Sequence, residues 1–250
     1  MTRSLRGTAA MVTGASSGIG AATARELAAH GAAVTLVARR RDRLERLAER
    51  IIADGGTALV VISDVSDRNQ AQDAVERSVR QWGRLDILVN NAGITRPAPA
   101  LQARISDWED MVQLNLTGSL YCLHAALPHL VEAGDTEPRR VADLINISSP
   151  SGRISRRGSA VYCATKHAMN AYSESLRQEL AEHRVRVTVL EPAAVETELF
   201  PVDVREQRRA DRGYPPLHAD DVADAVAYAV TRPAHVAVSE LLIRPTGQQR

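Results

Sequence analysis

Short apolar runs alternate with longer helical patterns along this sequence, and this alternation restricts the fold more than any other feature. Seven apolar runs are typical of buried strands, at residues 8–13, 32–38, 58–62, 85–89, 144–147, 185–190 and 240–243. Six stretches with helical patterns separate them, at residues 21–30, 40–54, 67–82, 106–131, 159–182 and 220–231. Strands that are apolar throughout and joined by helices belong to parallel sheets covered on both faces. The order therefore predicts a doubly wound α/β fold with three layers, αβα.

No change of composition divides the chain, so we expect residues 1–250 to form a single domain. An apolar content of 44% is ample for a core. Residues 200–217 are polar and irregular and contain four arginines. We expect residues 193–217 to act as a mobile lid over a substrate.

Charge and cysteine content exclude several classes of function. The net charge is +1 without acidic or basic blocks, which argues against a nucleic-acid or membrane-surface partner. No apolar run approaches the roughly 18 residues of a membrane span. The two cysteines, Cys122 and Cys163, follow no evident signal peptide, and we expect them to be reduced thiols of a cytoplasmic protein without a metal site.

A glycine-rich segment joins the first strand to the first helix. Residues 13–20 are Thr-Gly-Ala-Ser-Ser-Gly-Ile-Gly. Glycines let the backbone approach a diphosphate closely, and a helix N-terminus offers free N–H groups with partial positive charge. The spacing Gly-x-x-x-Gly-x-Gly differs from the commoner Gly-x-Gly-x-x-Gly fingerprint. A tight turn with glycines for steric reasons alone is the alternative.

The second strand ends in three arginines, Arg39, Arg40 and Arg41. In a dinucleotide fold this strand end meets the adenosine ribose, where an acid binds the 2′-hydroxyl of NAD and an arginine accommodates the 2′-phosphate of NADP. Because no Asp or Glu stands there, we expect NADP(H). A solvated helix start is the alternative, although cations interact unfavourably with a helix N-terminus.

Tyr162 and Lys166 are four residues apart in a predicted helix, so their side chains emerge from one face. A tyrosine has a pKa near ~10, and a nearby ammonium lowers it by roughly 1–3 units. Ser149 follows the fifth strand, where a hydroxyl can polarise a carbonyl. Together they could give a proton to a carbonyl oxygen while another group delivers hydride. A half-buried ring beside a snorkelling amine is the alternative.

The polar and glycine-rich segments share a position in the predicted sheet. Each follows a strand, and the carboxyl ends of parallel strands form one edge, where ligands of such sheets bind. We therefore expect one site assembled from residues 14–20, Arg39, Asp64, 90–93, Ser149 and 192–197.

These motifs resemble the short-chain dehydrogenase/reductase family over essentially the whole chain. The matching features are residues 13–20, Asn-Asn-Ala-Gly at 90–93, Asn115, Ser149 thirteen residues before Tyr162, and Tyr162-x-x-x-Lys166. The resemblance implies a Rossmann-type sheet of about seven strands. Features at the end of the chain and at residues 173–179 are similar to family members that act on clavaldehyde and on 3-hydroxy acids.

The resemblance also implies roles. Tyr162 is the proton donor or acceptor, Ser149 binds the substrate oxygen, Lys166 lowers the tyrosine pKa and holds the nicotinamide ribose, and Asn115 anchors a water chain from the lysine. The cofactor-binding residues that it implies are Gly14, Ser16, Ser17, Gly18, Ile19, Gly20, Arg39, Arg40, Asp64, Val65, Asn91, Ala92, Gly93, Tyr162, Lys166, Pro192, Val195 and Thr197. One departure is Ala193, where the family usually has glycine.

The sequence therefore predicts an NADPH-dependent reductase of an aldehyde or ketone, reversible as an alcohol dehydrogenase. The alternatives are an NAD-dependent alcohol, polyol or hydroxy-acid dehydrogenase working oxidatively, and a redox-sensing module without catalysis. A carboxylate-bearing substrate is one interpretation of the arginines at 153, 156, 157, 205, 208, 209 and 212; solvated arginines are the other. The resemblance implies self-association, as a dimer or tetramer, through helices 106–131 and 159–182.

Overall fold

The computed structural model describes residues 4–199, 205–207 and 213–248. Seven strands form one parallel sheet in the order β3-β2-β1-β4-β5-β6-β7. The strands are β1 (Ala9–Thr13), β2 (Ala33–Ala38), β3 (Thr57–Ile62), β4 (Ile87–Asn90), β5 (Ala142–Ile147), β6 (Val185–Pro192) and β7 (Glu240–Ile243). The strand order reverses between β1 and β4, and ligands of such sheets bind beyond the strand ends at this point.

Helices cover both faces of the sheet. They are α1 (Gly18–Ala29), α2 (Arg41–Ala53), α3 (Arg68–Trp82), α4 (Ile105–Met111), α5 (Ser119–Asp135), α6 (Ala160–Leu180) and α7 (Ala219–Val230). One core cluster lies between the sheet and α1, α2 and α7, and the other between the sheet and α3, α5 and α6. The doubly wound, three-layer fold expected from the sequence is confirmed.

The stretch predicted as one helix over residues 106–131 differs from that prediction. α4 begins at Ile105, and a π-helical segment, Val112–Gly118, separates it from α5. Asn115 lies in this segment and exchanges two hydrogen bonds with the backbone of Ile94, at 2.8 and 2.9 Å. π-Helical turns often occur at functional sites. Here the wider turn accompanies an asparagine that bonds outside its own helix.

The predicted lid falls partly outside the described residues, at positions 200–204 and 208–212. Its two described ends meet, because Leu217 N–H donates to Ala194 O and Glu196 N–H donates to Leu217 O, each at 2.8 Å. Both ends line the cavity described below. A lid function for residues 193–217 stays a prediction.

Candidate active site

A cavity of about 840 Å³ lies beyond the carboxyl ends of the strands. Its walls come from the turn after β1, from the segments after β2, β3, β4, β5 and β6, and from the start of α6. All but two of the catalytic and cofactor-binding residues that the family resemblance implied line this cavity; the exceptions are Gly20 and Asn115. The topology thus brings together segments that are far apart in the chain.

The glycine turn offers the cavity a helix end suited to an anion. α1 begins at Gly18, and its N-cap residue, Ser17, makes no side-chain capping bond. The first turn contains no acidic residue. The free N–H groups and the partial positive charge of α1 therefore face the cavity. These features fit the diphosphate of a dinucleotide.

Two glycines of the turn are required by close packing. Gly14 has φ +66°, in the left-handed region, and a β-carbon there would lie 2.8 Å from Asn91 Nδ2. A β-carbon at Gly20 would lie 2.5 Å from the same Asn91 nitrogen and 2.5 Å from Gly14 O. Gly20 was suggested as a cofactor contact, but it lies behind the turn, where it lets α1 approach closely.

The segment after β4 is fastened to the glycine turn. Asn91 Nδ2 donates to Thr13 O at 2.9 Å, and Thr13 Oγ1 accepts from the N–H groups of Asn91 and Ala92 at 3.0 and 3.1 Å. Asn91, Ala92 and Gly93 line the cavity. The motif at 90–93 therefore both shapes the cavity wall and holds the glycine turn.

Asn115 is buried and is absent from the cavity wall. Besides its bonds to Ile94, its Nδ2 lies 3.4 Å from Thr165 Oγ1, on the residue before Lys166. Asn115 therefore connects the π-helical segment, the segment after β4 and α6.

Ser149 and Tyr162 face each other in the cavity. Ser149 is close enough to the Tyr162 hydroxyl to lower its pKa, and Ser149 Oγ accepts a hydrogen bond from Ser151 N–H at 3.1 Å. The neighbouring Ser148 instead donates to Asn170 Oδ1 at 2.6 Å. Of the two serines, Ser149 is the one that affects the tyrosine hydroxyl, and its role in binding the substrate oxygen stays a prediction.

Burial raises the pKa of the Tyr162 hydroxyl, because a phenolate would lose its hydration, and the hydrogen bond with Ser149 lowers that pKa by less. Lys166 was expected to lower it. Its Nζ lies 5.9 Å from the centre of the Tyr162 ring and donates to Ile147 O at 2.7 Å. In this geometry desolvation outweighs the hydrogen bond, so the direction is opposite to the expected one.

Lys166 is the only lysine among the 250 residues; every other Lys or Arg position is arginine. Burial lowers the pKa of Lys166 to about 8. An arginine could not be tuned in this way, since its guanidinium stays charged at any pH a protein tolerates. The chain therefore has its one lysine ammonium near the tyrosine.

The arginines after β2 differ in their surroundings. Arg40 donates to Ser16 Oγ at 3.0 and 2.8 Å and to Ser17 Oγ at 2.6 Å. Arg39 is more exposed and lies 3.4 Å from Asp64. Arg40 also pairs with Glu198, which the sequence analysis did not consider. No local pattern signals that pair, because its members are 158 positions apart.

The remaining suggested cofactor contacts lie around the same cavity. Asp64 accepts from Ser66 Oγ at 2.7 Å, and Val65 is buried beside it. Pro192 ends β6 opposite Ile243 of β7. A β-carbon at Gly18 would lie 3.1 Å from Thr197 Cγ2, which places Thr197 against the glycine turn. Ile19 and Val195 also line the cavity.

Two of the arginines suggested for an anionic substrate, Arg156 and Arg205, line the cavity. Arg205 Nε is buried and has no hydrogen-bond partner among the described residues. Arg96, which the sequence analysis did not single out, also lines the wall. Arginines 208, 209 and 212 lie outside the described residues.

Arg153 has a structural use instead. It forms ion pairs with Glu191, which is fully buried, and with Glu240 at the start of β7. These pairs join the segment after β5 to the strands β6 and β7. Arg157 is not part of the described cavity wall.

Metal-binding clusters and membrane-spanning helices are both absent from residues 4–199, 205–207 and 213–248. Among those residues no group of three or more His, Cys, Asp or Glu side chains could hold a metal ion. Among them, too, no helix is long and apolar enough to cross a membrane.

Comparison with known proteins gives concordant results. A family model described as short chain dehydrogenase matches residues 8–208. An uncharacterized oxidoreductase of Staphylococcus epidermidis is 37% identical over 237 residues, which cover 94% of this chain and 96% of that protein.

Two solved structures resemble the chain throughout. An alcohol dehydrogenase from the archaeon Thermococcus sibiricus, complexed with 5-hydroxy-NADP, is 28% identical with a TM-score of 0.85, and the match covers 97% of this chain and 98% of that one. A serine dehydrogenase complexed with NADP+ is 32% identical with a TM-score of 0.86, and the match covers 97% of each chain. The chain therefore belongs to the short-chain dehydrogenase family of oxidoreductases.

Proposed function

We propose that this chain is an NADP(H)-dependent oxidoreductase that reduces an aldehyde or ketone to an alcohol and also runs in reverse. The observation that carries the proposal is that Ser149, Tyr162 and buried Lys166 line the same cavity, with Lys166 Nζ 5.9 Å from the centre of the Tyr162 ring. A hydroxyl pair of this kind can bind a carbonyl oxygen and protonate it.

Residues of the chain itself protonate the oxygen of the substrate and hydrogen-bond to it. Tyr162 gives its proton to that oxygen, and Ser149 donates a hydrogen bond that stabilises the developing negative charge. The ammonium of Lys166 stabilises the tyrosinate left behind. Asn115 anchors the path by which Lys166 and Tyr162 regain a proton. In the oxidative direction Tyr162 accepts the proton of the alcohol.

The glycine turn and the N-terminus of α1 would hold the cofactor diphosphate, and Arg40, Ser16 and Ser17 would meet a 2′-phosphate. When bound, reduced nicotinamide supplies the hydride that the carbonyl carbon receives. The preference for NADP(H) is supported by the absence of an acid at the end of β2 and by the NADP-type ligands of both structural neighbours.

A hydroxy acid oxidised to a keto acid is a second candidate. It is favoured by Arg156 and Arg205 in the cavity wall, by the buried Arg205 Nε, which has no partner in the described part of the chain, and by the likeness to a serine dehydrogenase. A guanidinium binds a carboxylate through paired N–H donors. We propose that substrates with a carboxylate are preferred over neutral substrates of the same size.

The test follows the absorbance of reduced nicotinamide with NADPH and NADH across neutral aldehydes, diketones and β-keto acids, and in reverse with alcohols and 3-hydroxy acids. We expect turnover with NADPH. Tyr162→Phe should bind NADPH normally and lose turnover by roughly three orders of magnitude or more, within the range that acid–base catalysis contributes.

Tyr172→Phe is the matched control. Tyr172 also lies on α6 and bonds Ser119 Oγ at 3.1 Å, but it does not line the cavity. Full activity of Tyr162→Phe would contradict the assignment. Tight NADPH binding without turnover of any substrate would favour the redox-sensing alternative.

We also propose that the chain associates with copies of itself through the helices between residues 105 and 135 and through α6. Val112 and Leu120 present exposed apolar side chains on the first of these stretches, at 41% and 38% exposure. Such side chains are suited to burial against a second copy.

A further inference from the structure

Glu198 joins two arginines, Arg40 in the wall of the cavity and Arg43 outside that wall. Its Oε2 lies 2.9 Å from Arg40 Nη1 and 2.6 Å from Arg43 Nη1, and its Oε1 lies 2.7 Å from Arg43 Nη1. Arg40 is the N-cap residue of α2, and Arg43 lies in the first turn of that helix. The carboxylate comes from the segment after β6, 155 positions or more away.

The other two guanidinium nitrogens of Arg40 also have hydrogen-bond partners. Nε and Nη2 donate to Ser16 Oγ, and Nη2 donates to Ser17 Oγ. All three guanidinium nitrogens of Arg40 therefore have partners. The donors that the proposed function assigns to a 2′-phosphate are thus occupied, and one of their partners is itself an anion.

We propose that Glu198 competes with the 2′-phosphate of the cofactor for Arg40 and Arg43, and thereby weakens the preference of the chain for NADP(H) over NAD(H). This inference rests on the proposed function. A phosphate at Arg40 would lie a few ångströms from the carboxylate, and like charges at such distances repel. Either the carboxylate leaves the arginines or the phosphate binds less strongly.

The charge on Glu198 is secure at neutral pH, since the hydrogen bonds from Arg43 and then from Arg40 lower the pKa of its carboxyl. NADH carries no phosphate at this position, so it leaves the pairs with Arg40 and Arg43 intact. The competition therefore acts on one cofactor and not on the other.

Glu198 adjoins Thr197, which packs against the glycine turn. The same contact therefore holds the segment after β6 against α2 and the turn. Displacement of Glu198 by a 2′-phosphate would release that segment from α2. The charge of the cofactor would then affect a wall of the substrate cavity as well as the adenosine end.

The experiment titrates wild-type chain and Glu198→Gln with NADPH and with NADH, following the fluorescence of the reduced nicotinamide. Exposed ion pairs contribute little each, and loss of two of them corresponds to about a threefold to tenfold change in binding. We expect Glu198→Gln to bind NADPH more tightly by that factor, with NADH changed by less than about twofold.

Glu45→Gln is the matched control. Glu45 lies on α2, the helix that contains Arg43, and pairs with Arg41 at 3.4 Å. Neither Glu45 nor Arg41 lines the cavity. The variant removes one negative charge from an arginine of α2 and should leave both affinities unchanged.

Unchanged or weaker NADPH binding by Glu198→Gln would overturn the inference; weaker binding would mean that Glu198 orients the arginines for the phosphate. Equal tightening by Glu45→Gln would also overturn it, since net charge would then explain the effect. A wild-type chain that binds neither cofactor would overturn the proposed function, whereas NADPH binding unaffected by Glu198→Gln would overturn this inference alone.

Discussion

Burial of Lys166 in the site destabilises the folded chain. Burial lowers its pKa to about 8 in the folded chain, from an ordinary value of 10.5. Between these two pH values the unfolded chain binds this proton more strongly than the folded chain does. Below pH 8 the buried ammonium is charged and destabilises the folded chain by its full amount. As pH increases from about 8 to 10.5 this destabilisation disappears, so the contribution of Lys166 to the free energy of unfolding rises.

We predict that Lys166→Met removes this rise, which amounts to a few kcal/mol, on the order of 3. Denaturant unfolding of both chains across this pH range measures it. Because the chain has one lysine, isotopic labelling of lysine gives a single NMR signal for the side chain, and its titration reports the pKa directly. A titration midpoint near 10.5 would contradict the account.

At the scale of elements, the stretch from α4 to α5 carries both Asn115, a proposed site residue, and the proposed contact with a second copy. Asn115 points from the π-helical segment toward Ile94, whereas Val112 and Leu120 stay exposed. We predict that the double variant Val112→Glu, Leu120→Glu has the mass of one chain, 27.1 kDa, by light scattering, while the unchanged protein has a multiple of it.

Ile52→Glu is the control for that prediction, since Ile52 is an exposed apolar residue on α2, at 57% exposure. It should leave the mass of the assembly unchanged. A single-chain mass for the unchanged protein would refute the proposed association.

Most elements were predictable because their signals are local. Apolar runs and glycines located the strands and helices to within a few residues, and β7 was predicted with the observed ends. The π-helical segment was not predictable, because it accompanies bonds from Asn115 to Ile94, 21 positions away. The start of α4 was misplaced by one residue for a related reason: its N-cap, Arg104, makes no side-chain cap that a sequence pattern could reveal.

For the whole molecule, a buried ion network holds the sheet together at the side opposite the cavity. Asp143 of β5 pairs with Arg186 of β6 at 2.7 Å and with Arg139 at 2.6 Å, and all three side chains are almost fully buried. Removing one partner of a buried ion pair leaves the other charge uncompensated. We predict that Asp143→Asn lowers the free energy of unfolding by about 3–5 kcal/mol, measured by urea denaturation.

The control for Asp143 is Asp135→Asn. Asp135 lies 3.5 Å from Arg184, and both side chains are exposed, so the loss should be less than about 1 kcal/mol. Equal losses in the two variants would show that the buried network contributes no more than an exposed pair. NADPH affinity should be unchanged in both, since neither residue lines the cavity.

The convergence of the site on one edge was predictable because topology alone decides it: segments that follow parallel strands must meet. What could not be predicted were the contacts between side chains that the fold brings together from distant segments. Glu198 with Arg40 is one case, and Arg153 with Glu191 and Glu240 is another. The burial that raises the pKa of Tyr162 also depends on the packed structure and has no local signal.

The single lysine has a consequence for the outside of the protein. Aldehydes condense with lysine amines to form imines, and this reaction damages proteins that meet aldehydes at high concentration. Here the only lysine, Lys166, is 5% exposed. Every cationic side chain on the described surface is therefore a guanidinium or an imidazole. Lys166 lines the cavity itself, so outside the cavity an aldehyde of the kind that the proposed function reduces would meet no lysine amine with which to form an imine.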